Sequence, residues 1–140
     1  MRFMIMVRAN ADTEAGRFPP DVDKLMADMA AYHEELAQAG VLLDGSGLQP
    51  SSEGFRVRWD GARQKVIDGP YAESKELIAG YTLIQVRNRE EALEWARRFP
   101  NPMGEGRPAE IEVRPLYEME HFEQKGIHGA ERFRKLGTFE

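Results

Sequence analysis

The sequence predicts an α+β domain with the ferredoxin-like order βαββαβ and one β-hairpin inserted after the second strand. Three observations carry this. Residues 2–8 alternate with apolar side chains on both faces, Phe3, Ile5 and Val7 one way and Met4 and Met6 the other, which predicts a central strand covered on both sides. Two segments, residues 21–39 and 89–99, repeat apolar residues at helical spacing. The other apolar runs alternate with period two between glycine and proline signals. The 140 residues predict one domain, large enough to bury a core without staples.

Residues 9–20 are polar, hold Gly16 and two prolines, and read as a loop. Asp21 is the expected N-cap of the first helix, whose stripe is Val22, Leu25, Met26, Met29 and Leu36. Gly40 is placed to end it as a C′ glycine. Residues 41–43 begin a second strand, expected to break at Gly45 and Gly47. Those glycines mark a bulge or a close approach of backbones. Phe55, Val57 and Trp59 then alternate with Arg56 and Arg58, Asp60-Gly61 signals a turn, and residues 64–67 return as the hairpin partner. Residues 68–77 form a charged loop and residues 78–86 a strong strand. Ala92, Trp95, Ala96 and Phe99 face inward from the second helix, which Pro100 and Pro102 stop. A last strand covers residues 110–117.

Two helices cover only one sheet face. The dry second face of the first strand therefore predicts a homodimer, a partner sheet supplying the cover. The alternative is cover by the inserted hairpin or the tail. The domain is read as residues 1–117. Residues 118–140 form a C-terminal extension expected to pack on the dimer or the sheet edge through Phe122, Ile127, Phe133, Leu136 and Phe139.

Composition excludes several function classes. With no cysteine, thiolate metal sites, disulfides and cysteine nucleophiles are ruled out. A net charge of -5 argues against direct nucleic-acid binding. No segment reads as a signal peptide or a membrane span, so a cytoplasmic protein without membrane contact is expected. No Walker or G-x-G-x-x-G pattern is present, and no cofactor is expected. Arg56, Arg58 and Arg63 beside Trp59 read as a solvated hairpin face rather than a nucleic-acid groove.

The run Asp68-Gly69-Pro70-Tyr71-Ala72-Glu73-Ser74-Lys75-Glu76 is the most specific feature. It resembles the signature of DGPF-domain proteins in the YCII-related family, with Tyr71 where phenylalanine is usual. Ala39-Gly40-Val41, Gly47-Leu48-Gln49-Pro50, Gly80-Tyr81, Glu94-Trp95-Ala96 and Glu112-Val113-Arg114-Pro115 agree with it. The resemblance implies a dimeric α/β-barrel and a link to sigma-factor-dependent transcription, and names no reaction. Enzyme-like relatives carry a helix histidine and an aspartate before proline. By spacing these positions resemble Met29 and Asn101-Pro102 here, so the pair is missing.

Two functions remain open. One is a noncatalytic or regulatory ligand-binding domain. The other is a small enzyme with a polar pocket lined by Asp68, Tyr71, Glu73, Lys75 and Tyr81, without an assigned catalytic residue. Gly69-Pro70 stiffens the loop, and Glu73 and Lys75 are expected to pair with each other or with an anion inside a cleft. His33 lies on the helix stripe and reads as a hydrogen-bonded core or interface histidine before a catalytic one. Tyr32 borders the stripe on the other side. His121 and His128 match no metal-binding spacing, and no metal site is assigned.

Overall fold

The computed structural model describes residues 1–137. Four antiparallel strands form one sheet in the order β2-β5-β1-β6: β1 is Arg2–Arg8, β2 Leu42–Gly47, β5 Ile78–Gln85 and β6 Ile111–Pro115. Two further strands, β3 (Phe55–Asp60) and β4 (Arg63–Asp68), pair only with each other as a two-stranded ribbon. With that ribbon set aside, the order across the sheet is that of a ferredoxin-like α+β fold. β1 is interior, between β5 and β6, as its two apolar faces require.

The helices are α1 (Ala11–Glu14), α2 (Val22–Gln38), α3 (Arg89–Arg97) and α4 (Met119–Gln124). Phe3 and Ile5 of β1 and Ile84 of β5 pack against Tyr32 and Leu36 of α2 and Ala92 and Trp95 of α3. This is one core between the sheet and two helices. Tyr32 is 4% exposed, and its hydroxyl donates to the Trp95 carbonyl at 2.7 Å. Its ring meets Phe99 edge-on at 5.2 Å. Tyr32 therefore belongs to the core, where the sequence had placed it at the border of the stripe.

Three local expectations change. The loop over residues 9–20 contains α1, capped by Asn10 and Thr13, each side chain bonded to the other's backbone N–H. Asp21 precedes α2 but does not cap it with its side chain. Its carboxylate takes the Arg107 guanidinium at 2.8 Å, and that bond holds its pKa below the ordinary value. Gly45 and Gly47 do not break β2, which runs through both in register with Thr82 and Gly80; the register shift falls earlier, between Leu42 and Asp44. The tail forms α4 and a 3-10 segment, His128–Leu136, burying Met119 and Ala130. Ile127, Phe133 and Leu136 are exposed. Phe139 lies outside the described residues.

The sheet face away from α2 and α3 carries Met4, Met6 and Leu83, all half-buried. Arg8 and Glu112 pair beside them at 2.9 Å, and Arg2 meets Glu118 at 3.2 Å. Among the described residues, no helix is long and apolar enough to cross a membrane.

Candidate functional site

A groove of about 1230 Å³ opens between α2 and one end of the sheet. Gly45 and Gly47 of β2 and Gly80 and Thr82 of β5 line it, with Met29 and His33 of α2 opposite. Glycine is needed here for physical reasons. A Cβ at Gly80 would stand 3.1 Å from the Ser46 carbonyl oxygen, and one at Gly45 would stand 3.3 Å from His33 Nε2. Side chains at these positions would push β2 from β5, or the imidazole from the sheet.

Asp12, Arg17, Arg107 and His33 bring titratable side chains to the groove, and His33 is the one bonded to the sheet. Its Nδ1 lies 2.8 Å from the Met29 carbonyl and its Nε2 2.9 Å from Thr82 Oγ1. A carbonyl only accepts, so Nδ1 carries the proton in the neutral ring. Nε2 then accepts from the Thr82 hydroxyl. Thr82 is 2% exposed, so this bond fixes both groups. The remaining lining is mostly apolar, with Leu25, Met29 and Phe99 inside and Phe18, Met26 and Leu48 exposed at the rim. A smaller hollow of about 250 Å³ at the start of α2 is lined by Asp21, Lys24, Asp28 and Glu105. Its charges are satisfied by Lys24–Asp28 and Arg107–Asp21 pairs.

The signature loop lies elsewhere and has a structural explanation. A Cβ on Gly69 would fall 1.8 Å from the Ser51 carbonyl oxygen, so only glycine fits. Ser51 in turn is held by Glu14, which accepts from its backbone N–H at 3.0 Å and from its hydroxyl. Ser51 Oγ accepts the Tyr71 N–H at 3.1 Å. One carboxylate on α1 thus anchors the turn after β2 and, through Ser51, the start of the loop. Tyr71 donates its hydroxyl to the Ile67 carbonyl at 2.8 Å and lies under the Arg56 guanidinium.

Of the five residues singled out in the sequence, only Tyr81 lines the groove. Its hydroxyl donates to Asp44 at 2.9 Å, which raises its pKa. Strand alternation puts that side chain opposite Thr82, so Tyr81 offers the groove its backbone. Asp68, Glu73 and Lys75 are exposed, and Tyr71 is half-buried. The expected pairing of Glu73 with Lys75 inside a cleft is not found: both side chains face solvent, and neither has an ion-pair partner among the described residues. Met29, in the position resembling the family histidine, lines the groove, and His33 enters it one turn later. Asn101 bonds the Arg107 carbonyl and the Met103 N–H and so shapes its own loop. His121 caps α4 by accepting the Glu118 N–H, and His128 is exposed. The sequence reading missed Thr82. Gly80, already picked out beside Tyr81 in the sequence, does line the groove, and the Gly-Ser-Gly run of β2 was a second signal.

The structure superposes on 5-chloro-2-hydroxyhydroquinone dehydrochlorinase from Burkholderia phenoliruptrix AC1100, solved in complex with 2,5-dihydroxybenzoquinone. The TM-score is 0.46 at 15% identity, over 86% of this chain and 98% of that one. An uncharacterized protein of Rhizobium meliloti (strain 1021) is 33% identical over 94 residues, 67% of this chain and 74% of that protein. The YCII-related domain matches residues 1–120, and on that match the chain belongs to the YCII-related family.

Proposed function

We propose that this YCII-related domain is a homodimeric ligand-binding protein. Its ligand is a small, largely apolar molecule held in the α2–sheet groove by one polar group at His33. The observation that carries this is the His33–Thr82 pair, a hydrogen-bonded imidazole and hydroxyl facing an otherwise mostly apolar groove. Few polar groups converging in an apolar concavity is the usual composition of a small-molecule site. Met26 and Met29 add unbranched, adaptable surface that suits ligands of varied outline. Of the sequence candidates, this reading keeps Tyr81 as wall and gives the signature loop a structural part.

A small-enzyme reading has one observation in its favour. The Nε2 of His33 is held by a hydroxyl and no carboxylate, so a ligand's O–H can replace Thr82 and be deprotonated there. The test is NMR titration of the protein with a panel of substituted phenols and cyclohexanols. Shifts should cluster at residues 29–33, 45–48 and 80–82, and His33→Leu should abolish them. Shifts confined to residues 68–76 would move the site to the signature loop and refute the groove.

The homodimer rests on the half-buried Met4, Met6 and Leu83 of the open sheet face. The exposed Ile127, Phe133 and Leu136 of the tail are the surface it would add. Sedimentation at micromolar concentration should give a dimer that Met6→Glu dissociates. A monomer at every concentration would refute it. The link to sigma-factor-dependent transcription rests on the signature resemblance and is tested by gene neighbourhood.

A further inference from the structure

The Arg107–Asp21 pair stands on the ridge between two cavities. Arg107 lines the groove and not the neighbouring hollow; Asp21 lines the hollow and not the groove. The groove therefore receives this cation without its carboxylate. The groove's other ion pair is complete within it, because Arg17 and Asp12 both line the wall. With His33 neutral, the charged lining of the groove sums to one positive charge, in a chain of net -5.

The Arg107 guanidinium is held in place. Its Nη1 donates to Asp21 Oδ1 at 2.8 Å and to the Met103 carbonyl at 3.1 Å. The loop that bears it is closed on itself: the Asn101 side chain donates to the Arg107 carbonyl at 2.8 Å and accepts the Met103 N–H at 2.9 Å. Gly104 lies at φ +103°, and a Cβ there would fall on Nη1. These bonds use both Nη1 protons. The Nε and Nη2 protons have no hydrogen-bond partner among the described residues. An Nε–Nη2 edge presents two parallel N–H groups, the fork that a carboxylate accepts. On Arg17 the same edge is filled by Asp12, at 3.1 and 3.0 Å. One positive charge suits a monoanion better than a phosphate ester, which carries close to two negative charges.

The two polar ends of the groove are far apart. Asp21 stands at the N-terminus of α2, and the helix climbs roughly 16 Å from there to His33. Leu25 and Met29 lie on α2 between them, and Phe99 and the buried Met103 add apolar wall. At about 1230 Å³ the groove exceeds the ~300–1000 Å³ usual for a drug-sized ligand. We infer that its ligand is an elongated organic acid, with its carboxylate on the Nε–Nη2 edge of Arg107, its chain along Leu25 and Met29, and a hydroxyl at His33. This rests on the groove reading above and adds a second anchor to it.

The test uses the full chain and two probes of one length, 10-hydroxydecanoate and 1,10-decanediol. Calorimetry of the wild type should show the acid binding at least about tenfold more tightly than the diol, as a charge-assisted fork would give. Arg107→Gln should erase that difference, and Arg107→Lys, which keeps the charge and loses the fork, should leave part of it. In wild-type NMR spectra the Arg107 Nε–H resonance should move with the acid and stay with the diol, a readout that holds even where a variant fails to fold. Shifts from the acid should appear both at residues 29–33 and at residues 101–107. Equal affinity for acid and diol overturns the carboxylate anchor while the groove stands, as does a preference that survives Arg107→Gln and is lost in Arg17→Gln. Acid-induced shifts at one end only overturn the elongated ligand. Phenols or cyclohexanols that shift groove residues, with neither ten-carbon probe binding, overturn this inference alone. Absence of groove shifts with every one of these compounds overturns the groove reading as well.

Discussion

Thr82→Val isolates the polar pair at the groove. Valine keeps the shape of threonine and replaces its hydroxyl with a methyl. The backbone register with Ile5 and Gly45 is untouched. What is lost is the 2.9 Å bond to His33, whose Nε2 lone pair then faces carbon. An acceptor left unpaired in the interior costs about 1–3 kcal/mol. His33 is half-buried beside an open groove, so water can reach Nε2, and the lower end, about 1 kcal/mol, is expected. His33→Leu strands the Thr82 hydroxyl at 2% exposure and should cost a similar amount. The double variant removes both members and should cost less than the two single changes together. Urea denaturation of the four proteins measures this. NMR of the imidazole should also show the Nδ1–H form in the neutral wild type. Strictly additive losses, or a Thr82→Val protein as stable as wild type, would refute the pairing and with it the polar anchor of the groove.

Three other outcomes follow from the geometry. Burial pushes the Tyr32 hydroxyl from 10.0 up to about 12, so the folded protein keeps a proton that the unfolded chain loses. Stability is full below pH 10 and falls by up to about 2–3 kcal/mol as pH rises toward 12. Tyr32→Phe should remove the hydroxyl bond to the Trp95 carbonyl, which keeps only the Arg98 N–H at 3.2 Å, lose about 1 kcal/mol at neutral pH and flatten that alkaline fall in denaturation curves. Gly80→Ala forces a Cβ against the Ser46 carbonyl at 3.1 Å and Gly47 Cα at 3.4 Å, and should cost about 1–3 kcal/mol in thermal unfolding. Removing residues 118–140 deletes buried Met119 and the Glu118 partner of Arg2, and should weaken the dimer in sedimentation; an unchanged dimer constant would exclude the tail from the interface.

Local signals in the sequence were enough for most of the architecture. The double apolar alternation of residues 2–8 required an interior strand, because a strand dry on both faces cannot sit at an edge in solvent. The stripe from Val22 to Leu36 and the left-handed Gly40, with φ near +74°, bounded α2 because period and cap are properties of neighbouring residues. α1 escaped notice because a four-residue helix has no period to read, only an Asn10/Thr13 cap.

The site belongs to the tertiary structure. Tyr32 and His33 are adjacent in sequence, and one step around α2 sends the first to Trp95 in the core and the second to Thr82 in the groove. Gly45 resembles a strand break until β2 lies beside β5, where the His33 imidazole and the Tyr81 carbonyl occupy the space its side chain would need. Glu73 and Lys75 drew attention as a charge run on a stiff loop, but nothing within nine residues says whether such a loop folds inward. The contact that orients this loop comes from Ser51 and Glu14, far away along the chain. Periodicity and caps are written in neighbouring residues. A groove is written in which distant strands and helices come to share an edge, and only packing brings those together.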